Sequence, residues 1–221
     1  MAKLFHVTSY MNRDKILKEG LTYYERLNKH NEDWRKIKCL NDVKSGDADI
    51  LIDKYKPLDL PYWMEVNKCI YMTIYEECKK FLNTDLDIPY FNADAFGFIV
   101  NSEELDQSRL FVNDPKRNNI YMNIFENVFQ MATQGINRNS IRKTKRNVEK
   151  FWRGLIPFQE YYNNPDKYPK PDSPSIYEVL YFGKISPNLL AIINDNIEND
   201  EILKRIYKNI ITHKFNNHKG V

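Results

Sequence analysis

Glycine is scarce in this chain, with seven among 221 residues. None lies in a G-x-G-x-x-G or G-x-x-x-x-G-K run, the loops that bring backbone N–H groups against nucleotide phosphates. A Rossmann-type dinucleotide enzyme is therefore disfavoured. Cysteine is also sparse. Cys39, Cys69 and Cys78 are odd in number and show no C-x-x-C spacing, which argues against a disulfide framework and a zinc site and fits a reducing compartment. No apolar run approaches the length that spans a bilayer. Lys3, His6, Arg13, Asp14 and Lys15 occupy the region where a signal peptide would be apolar. The expectation is a cytoplasmic protein without membrane contact. Excess charge of one sign is missing too: 33 Lys and Arg stand against 30 Asp and Glu, a net +3, so any nucleic-acid footprint must be local.

Aromatic residues, by contrast, are abundant, with 15 Tyr, 12 Phe and 3 Trp. Hydrophobic residues make up 42% of the chain, enough for a core, while a mean hydropathy of −0.64 fits a water-exposed surface. No internal repeat divides the chain, and it reads as one domain over residues 1–221.

Period-two runs predict strands at Lys3–Ser9, Lys68–Thr73, Phe96–Val100 and around Tyr177–Phe182, with a further strand over Ile185–Ile193. Asn12 is the expected N-cap of a short helix that holds Ile16 and Leu17 inward and stops at Gly20. Thr73 and Glu76 have capping-box spacing. Asp114 and Pro115 open a helix in which Ile120, Tyr121, Ile124, Phe125, Val128 and Phe129 recur at helical spacing. Asn137–Arg153 predicts a second helix, and Glu201–Ile211 a closing one. Residues 25–60 read as an irregular insertion with a short helix near Trp34. Asp42, Asp47, Asp49 and Asp53 within it fit no calcium loop and are expected in solvated loop. Residues 157–175 hold five prolines with Tyr161, Tyr162 and Tyr168, and read as a non-periodic loop. Short strands with helices inserted between them predict an α+β fold.

Three predicted strands carry a polar residue where an apolar one would pack better: His6, Tyr71 and Glu178. Singly, each has an ordinary explanation. A strand histidine is usually a hydrogen-bonded core residue, a strand tyrosine usually core with its hydroxyl at the rim, and a lone glutamate usually reaches water or a lysine. Glu178 would share a strand face with Ile176, Leu180 and Phe182, where an ionised carboxylate is costly without a partner.

Together, His6-Val7-Thr8, Tyr71-Met72-Thr73 and the late-strand Glu178 resemble the three motifs of the ADP-ribosyltransferase superfamily, in the branch shared by diphtheria-type toxins and poly(ADP-ribose) polymerases. The opening, with Asn12, Ile16-Leu17 and Gly20-Leu21, is also similar to DNA-modifying toxins of the DarT type. The resemblance implies an α+β fold with a split central β-sheet and flanking helices, residues 25–60 and 105–155 being insertions. It implies NAD+ as co-substrate, no metal, and Glu178 as the catalytic carboxylate. It places His6, Thr8 and Ser9 at the adenine-side ribose, Tyr71 on the nicotinamide, and Thr73 at the neighbouring turn. A toxin or phage-defence role with a cognate antitoxin also comes from the resemblance.

The likeness to DNA-modifying toxins implies a nucleic-acid base as acceptor, and one charge run bears on it. Arg138, Arg142, Lys143, Lys145, Arg146, Lys150 and Arg153 stand against one acid, Glu149, in the second helix. Such a run is usually a solvated face; here it is also placed to track phosphates of RNA or DNA, with Tyr161 and Tyr162 stacking on bases. A protein acceptor, water as acceptor in an NAD+ glycohydrolase, and a nucleic-acid-binding module without catalysis are the alternatives.

Overall fold

The computed structural model describes residues 2–22, 30–75, 95–113, 118–164, 166–168 and 178–192. The predicted helix over Glu201–Ile211, Cys78, Glu76, the Asp114-Pro115 pair and Ile176 lie outside them. Among the described residues, seven strands make one antiparallel sheet: β1 (Lys3–Ser9), β2 (Ile70–Ile74), β3 (Ala95–Asn101), β4 (Leu110–Asn113), β5 (Leu155–Pro157), β6 (Glu178–Tyr181) and β7 (Ala191–Ile192). Their spatial order is β5-β4-β6-β2-β1-β3-β7. Among the described residues, five α-helices complete the α+β arrangement: α1 (Arg13–Glu19), α2 (Ser45–Lys54), α3 (Asn118–Gln134), α4 (Arg138–Arg153) and α5 (Phe158–Asn163). No helix among the described residues is long and apolar enough to cross a membrane.

The sheet is continuous rather than divided into two separate sheets. Its thinnest interior seam lies between β1 and β2, where the paired register is Leu4↔Ile74 and Phe5↔Thr73. On the other side β1 pairs with β3 along its whole length, from Lys3↔Asn101 to Ser9↔Ala95.

Strand alternation sends side chains into two cores, one on each face. Leu4, Met72, Ile74, Phe98, Val100, Val112, Val179 and Tyr181 meet Ile16 of α1 and Phe158 and Tyr161 of α5 on the first face. Leu180 and Phe182 point the other way, into a second core with Ile52 of α2, Ile124 and Val128 of α3, and Val148 and Trp152 of α4. Phe182 is its aromatic centre, with ring centroids 5.9 to 6.2 Å from Phe111, Trp152 and Trp63. Truncating such a side chain to alanine costs roughly 3–5 kcal/mol through lost burial and the cavity left behind.

Gly20 ends α1 at a φ of +83°, and its N–H donates to the Ile16 carbonyl. A β-carbon there would lie 2.1 Å from the Ile185 carbonyl oxygen. Both the left-handed backbone and the close approach demand glycine. Beside it Leu21 and Ile185, both members of the first core, exchange backbone hydrogen bonds of 2.9 and 3.1 Å.

Several expectations are corrected. Asn12 sits at the N-cap position but its side chain does not cap; its Nδ2 donates to Thr8 Oγ1 at 3.3 Å. Thr73 is paired within β2, opposite both Phe5 and Glu178, so it is a strand residue. Residues 45–54, expected in irregular chain, form α2. Phe158–Asn163, expected as loop, form α5 behind Pro157. Ile185–Ile193 does not form one strand: Pro187 starts a 3-10 turn over Pro187–Leu189, and only Ala191–Ile192 pairs with β3.

Among the acidic residues of the 25–60 segment, Asp47 and Asp49 are corrected, being fully buried, and Asp53 is half-buried, whereas Asp42 is exposed as expected. Asp47 accepts the Asn31 N–H, Asn31 Nδ2, Trp34 Nε1–H and Lys44 N–H at 2.7 to 3.0 Å. Asp49 accepts the Tyr121 hydroxyl at 2.8 Å, tying α2 to α3. Asp53 accepts the Val66 and Asn67 N–H groups at 2.6 and 3.0 Å. A carboxylate can leave water at this cost only when donors replace its hydration, and here backbone and indole donors do so.

Candidate active site

The candidate residues lie on the three adjacent central strands β6, β2 and β1. Register decides which of them share a face. Glu178 pairs with Thr73 across the β6–β2 ladder and with Asn113 across the β6–β4 ladder; Tyr71 pairs with Leu180. Directly opposed residues in an antiparallel pair project to the same side. Tyr71, Thr73, Asn113 and Glu178 therefore belong to the second face, with Leu180 and Phe182. Tyr71 packs against that second core and its hydroxyl is buried. Glu178 is half-buried at the first position of β6, and Asn113 Nδ2 donates to Glu178 Oε2 at 3.5 Å, the outer limit of a hydrogen bond.

His6 and Thr8 alternate with Phe5, which pairs with Thr73, so they belong to the first face with Leu4. The register with β3 says the same, because His6 lies opposite Phe98 of the first core. The expected triad is thus brought to neighbouring strands but not to one face. His6 reaches Tyr71 through the backbone: its Nδ1 donates to the Tyr71 carbonyl at 2.7 Å. That bond falls beside the short β1–β2 ladder and adds a side-chain link between the two strands. Thr8 is buried and accepts from Asn12. The Ser9 side chain lies outside the described part of the molecule.

Asn113 is the residue that sequence reasoning missed. Its signal was present in Leu110-Phe111-Val112-Asn113, where period two sets Asn113 beside Phe111, but four residues are too short to stand out from the preceding turn. Among the described residues, no group of three or more His, Cys, Asp or Glu is placed to hold a metal ion.

The expected target-binding residues separate into two sets. Arg138, Arg142, Lys143, Lys145 and Arg146 are all exposed on α4, with Lys150 and Arg153. Tyr161 is corrected: it is 4% exposed in the first core, packed near Tyr168, and offers no ring face to a base. Tyr162 is half-exposed and stacks on Phe158, with ring centroids 5.8 Å apart. Because α5 covers the first face and α4 the second, these tyrosines lie across the sheet from the basic helix.

Compared with known proteins, the chain matches no family model, no curated protein and no solved structure.

Proposed function

We propose that the chain is an NAD+-dependent ADP-ribosyltransferase acting on a macromolecular acceptor, a nucleic acid before a protein. The observation that carries the reading is the juxtaposition of Tyr71, Thr73 and Glu178 on one face of two paired strands, with His6 fastened to the Tyr71 carbonyl from the next strand. The α+β arrangement, one antiparallel sheet with helices on both faces, is the support for the finer assignment to an ADP-ribosyltransferase-like fold.

In this reading NAD+ is the substrate. The bond between nicotinamide and its ribose breaks, and the electron pair leaves with nicotinamide, which departs neutral. The acceptor atom then forms the new bond to the ribose carbon and loses its proton to solvent or a nearby base. Positive charge grows on the sugar in the transition state, as in glycoside cleavage. Glu178 would hold a ribose hydroxyl and stabilise that charge, its effect strengthened where Leu180 and Phe182 exclude water. Asn113 would orient the carboxylate. His6, with its Nδ1 committed to Tyr71, would position the strand at the adenine-side ribose. Toxicity or phage defence, with a cognate antitoxin, is the setting this chemistry suits.

The test is nicotinamide release from NAD+ by the purified protein. We expect release from the wild type and a loss of about 100-fold or more in Glu178→Gln, the scale at which removing one transition-state electrostatic group acts. A Glu178→Gln protein as fast as wild type would end the proposal. Release with no modified macromolecule would reduce it to an NAD+ glycohydrolase. A second reading, a nucleic-acid-binding module without catalysis, is favoured by one observation: His6 and Thr8 face away from Tyr71 and Glu178. Binding of a strand with no nicotinamide release from the wild type selects it.

A further inference from the structure

We infer that α4 and the segment after α2 form a track for single-stranded nucleic acid, on the side of the sheet that carries Glu178 and Tyr71 and in place of the Tyr161 and Tyr162 loop. Arg138, Arg142, Arg146 and Lys150 follow one another at four-residue steps along α4, and all four are exposed. From Arg138 to Lys150 the cations span about 18 Å of helix at 1.5 Å per residue. Like charges at i, i+4 repel and weaken a helix, and three consecutive pairs of this kind stand here with little acid to offset them. Glu149 is the one acid in the helix, and Asp59 is engaged with Arg153 at 2.7 Å. A polyanion laid along the row relieves the repulsion and releases its own counterions.

The row does not end at bare solvent. Lys145 reaches across to α2, its Nζ 5.4 Å from the Tyr55 ring centroid, while Lys54 Nζ lies 5.5 Å from the same ring. The following loop is held beside α4 by the Asp59–Arg153 pair and by Lys56 Nζ over the Trp152 ring at 6.0 Å, and it is folded on itself by Lys56 Nζ, which donates to the carbonyls of Pro61, Tyr62 and Met64 at 2.9 to 3.2 Å. That anchored loop presents Tyr62 at 86% exposure. An exposed aromatic ring on a loop pinned to the C-terminal end of a cation-bearing helix is the combination that stacks unpaired bases while tracking their backbone. A duplex hides its base faces and gains nothing from Tyr62. A membrane surface needs an apolar helix face, and that of α4 (Val148, Phe151, Trp152) is spent in the second core.

Naming the strand as acceptor rests on the transferase reading; the binding itself does not. The probes are short fluorescein-labelled single strands of DNA and RNA, their duplexes, and anionic phospholipid vesicles, titrated without NAD+ between about 50 and 200 mM salt. Wild-type protein should bind the single strands and release them steeply as salt rises. Arg142→Ala with Arg146→Ala should flatten the logarithmic salt slope by about 1.4, at roughly 0.7 per phosphate contact on a single strand. Tyr62→Ala should weaken binding about fivefold or more with the salt slope unchanged. These positions are exposed, and unchanged thermal melting of each variant would show that folding is not the cause. A double variant with the wild-type slope, equal or tighter binding of duplex or vesicles, or no binding at all would overturn the inference. Strand binding without nicotinamide release leaves the track standing and removes the transferase reading; release without strand binding does the reverse.

Discussion

The imidazole of His6 joins β1 to β2 where their backbone pairing gives out, with Nδ1 2.7 Å from the carbonyl oxygen of Tyr71. A carbonyl can only accept, so the bond fixes the ring proton on Nδ1. The bond links the two motifs that sequence alone sets far apart, and it does so without bringing their side chains to one face.

His6→Ala should lower the unfolding free energy by about 1–2 kcal/mol, because it removes the donor and leaves a half-buried carbonyl to find another. His6→Asn keeps an amide donor close to the Nδ1 position and should recover much of that loss. Urea denaturation of the three proteins checks it. Alanine and asparagine variants of equal stability would mean that the ring's packing, not its hydrogen bond, holds the seam.

Asp53 makes stability depend on pH in the direction opposite to most carboxylates. Burial pushes its carboxyl up to about 6, against the Asn67 and Val66 N–H groups that pull it down, with Asp49 and Glu65 adding to the rise. The native state then holds the proton more tightly than the unfolded chain. The contribution is fully present below about pH 4 and is lost as pH rises through about 6, up to about 3 kcal/mol in all. Asp53→Asn cannot titrate. The wild-type minus variant unfolding free energy should therefore fall between about pH 4 and 6.5 and stay level on either side. A difference independent of pH across that window would contradict the assignment.

Asn127, on α3, is 1% exposed, and among the described residues neither its amide nitrogen nor its oxygen has a hydrogen-bond partner. A buried amide in that condition costs about 1–3 kcal/mol. Asn127→Leu, similar in size and apolar, should raise the urea midpoint at unchanged m-value, by about 1–2 kcal/mol of stability. A lower midpoint would show that the amide does have a partner that leucine cannot replace.

What could be read along the chain and what could not follow from distance in sequence. The β1, β2 and β3 strands and the α3 and α4 helices are legible because their periods run for five or more residues. Asn137, where the predicted helix begins, is found to cap α4, accepting the Asn139 and Ser140 N–H groups at 3.0 and 2.9 Å. The β4 and β5 strands are too short to show a period, and Pro157 disguises both the end of β5 and the start of α5. Residues 45–54 look like solvated chain because Asp47, Asp49 and Asp53 face inward, and only their distant donors, Asn31, Trp34, Tyr121 and Val66, explain why.

By itself the sequence determined the local terms: a histidine, a tyrosine and a glutamate on separate strands, a row of cations at helical spacing, and a glycine where α1 must stop. Tertiary structure alone decided the rest: that Glu178 lies opposite Thr73 and Asn113, that His6 faces the other core, that Tyr161 is interior, and that α4 and α5 cover opposite sides of the sheet. The physical reason is that spacing within a helix or strand is set by backbone geometry a few residues long, whereas register between strands and the choice of covering layer are set by apolar burial between segments many tens of residues apart.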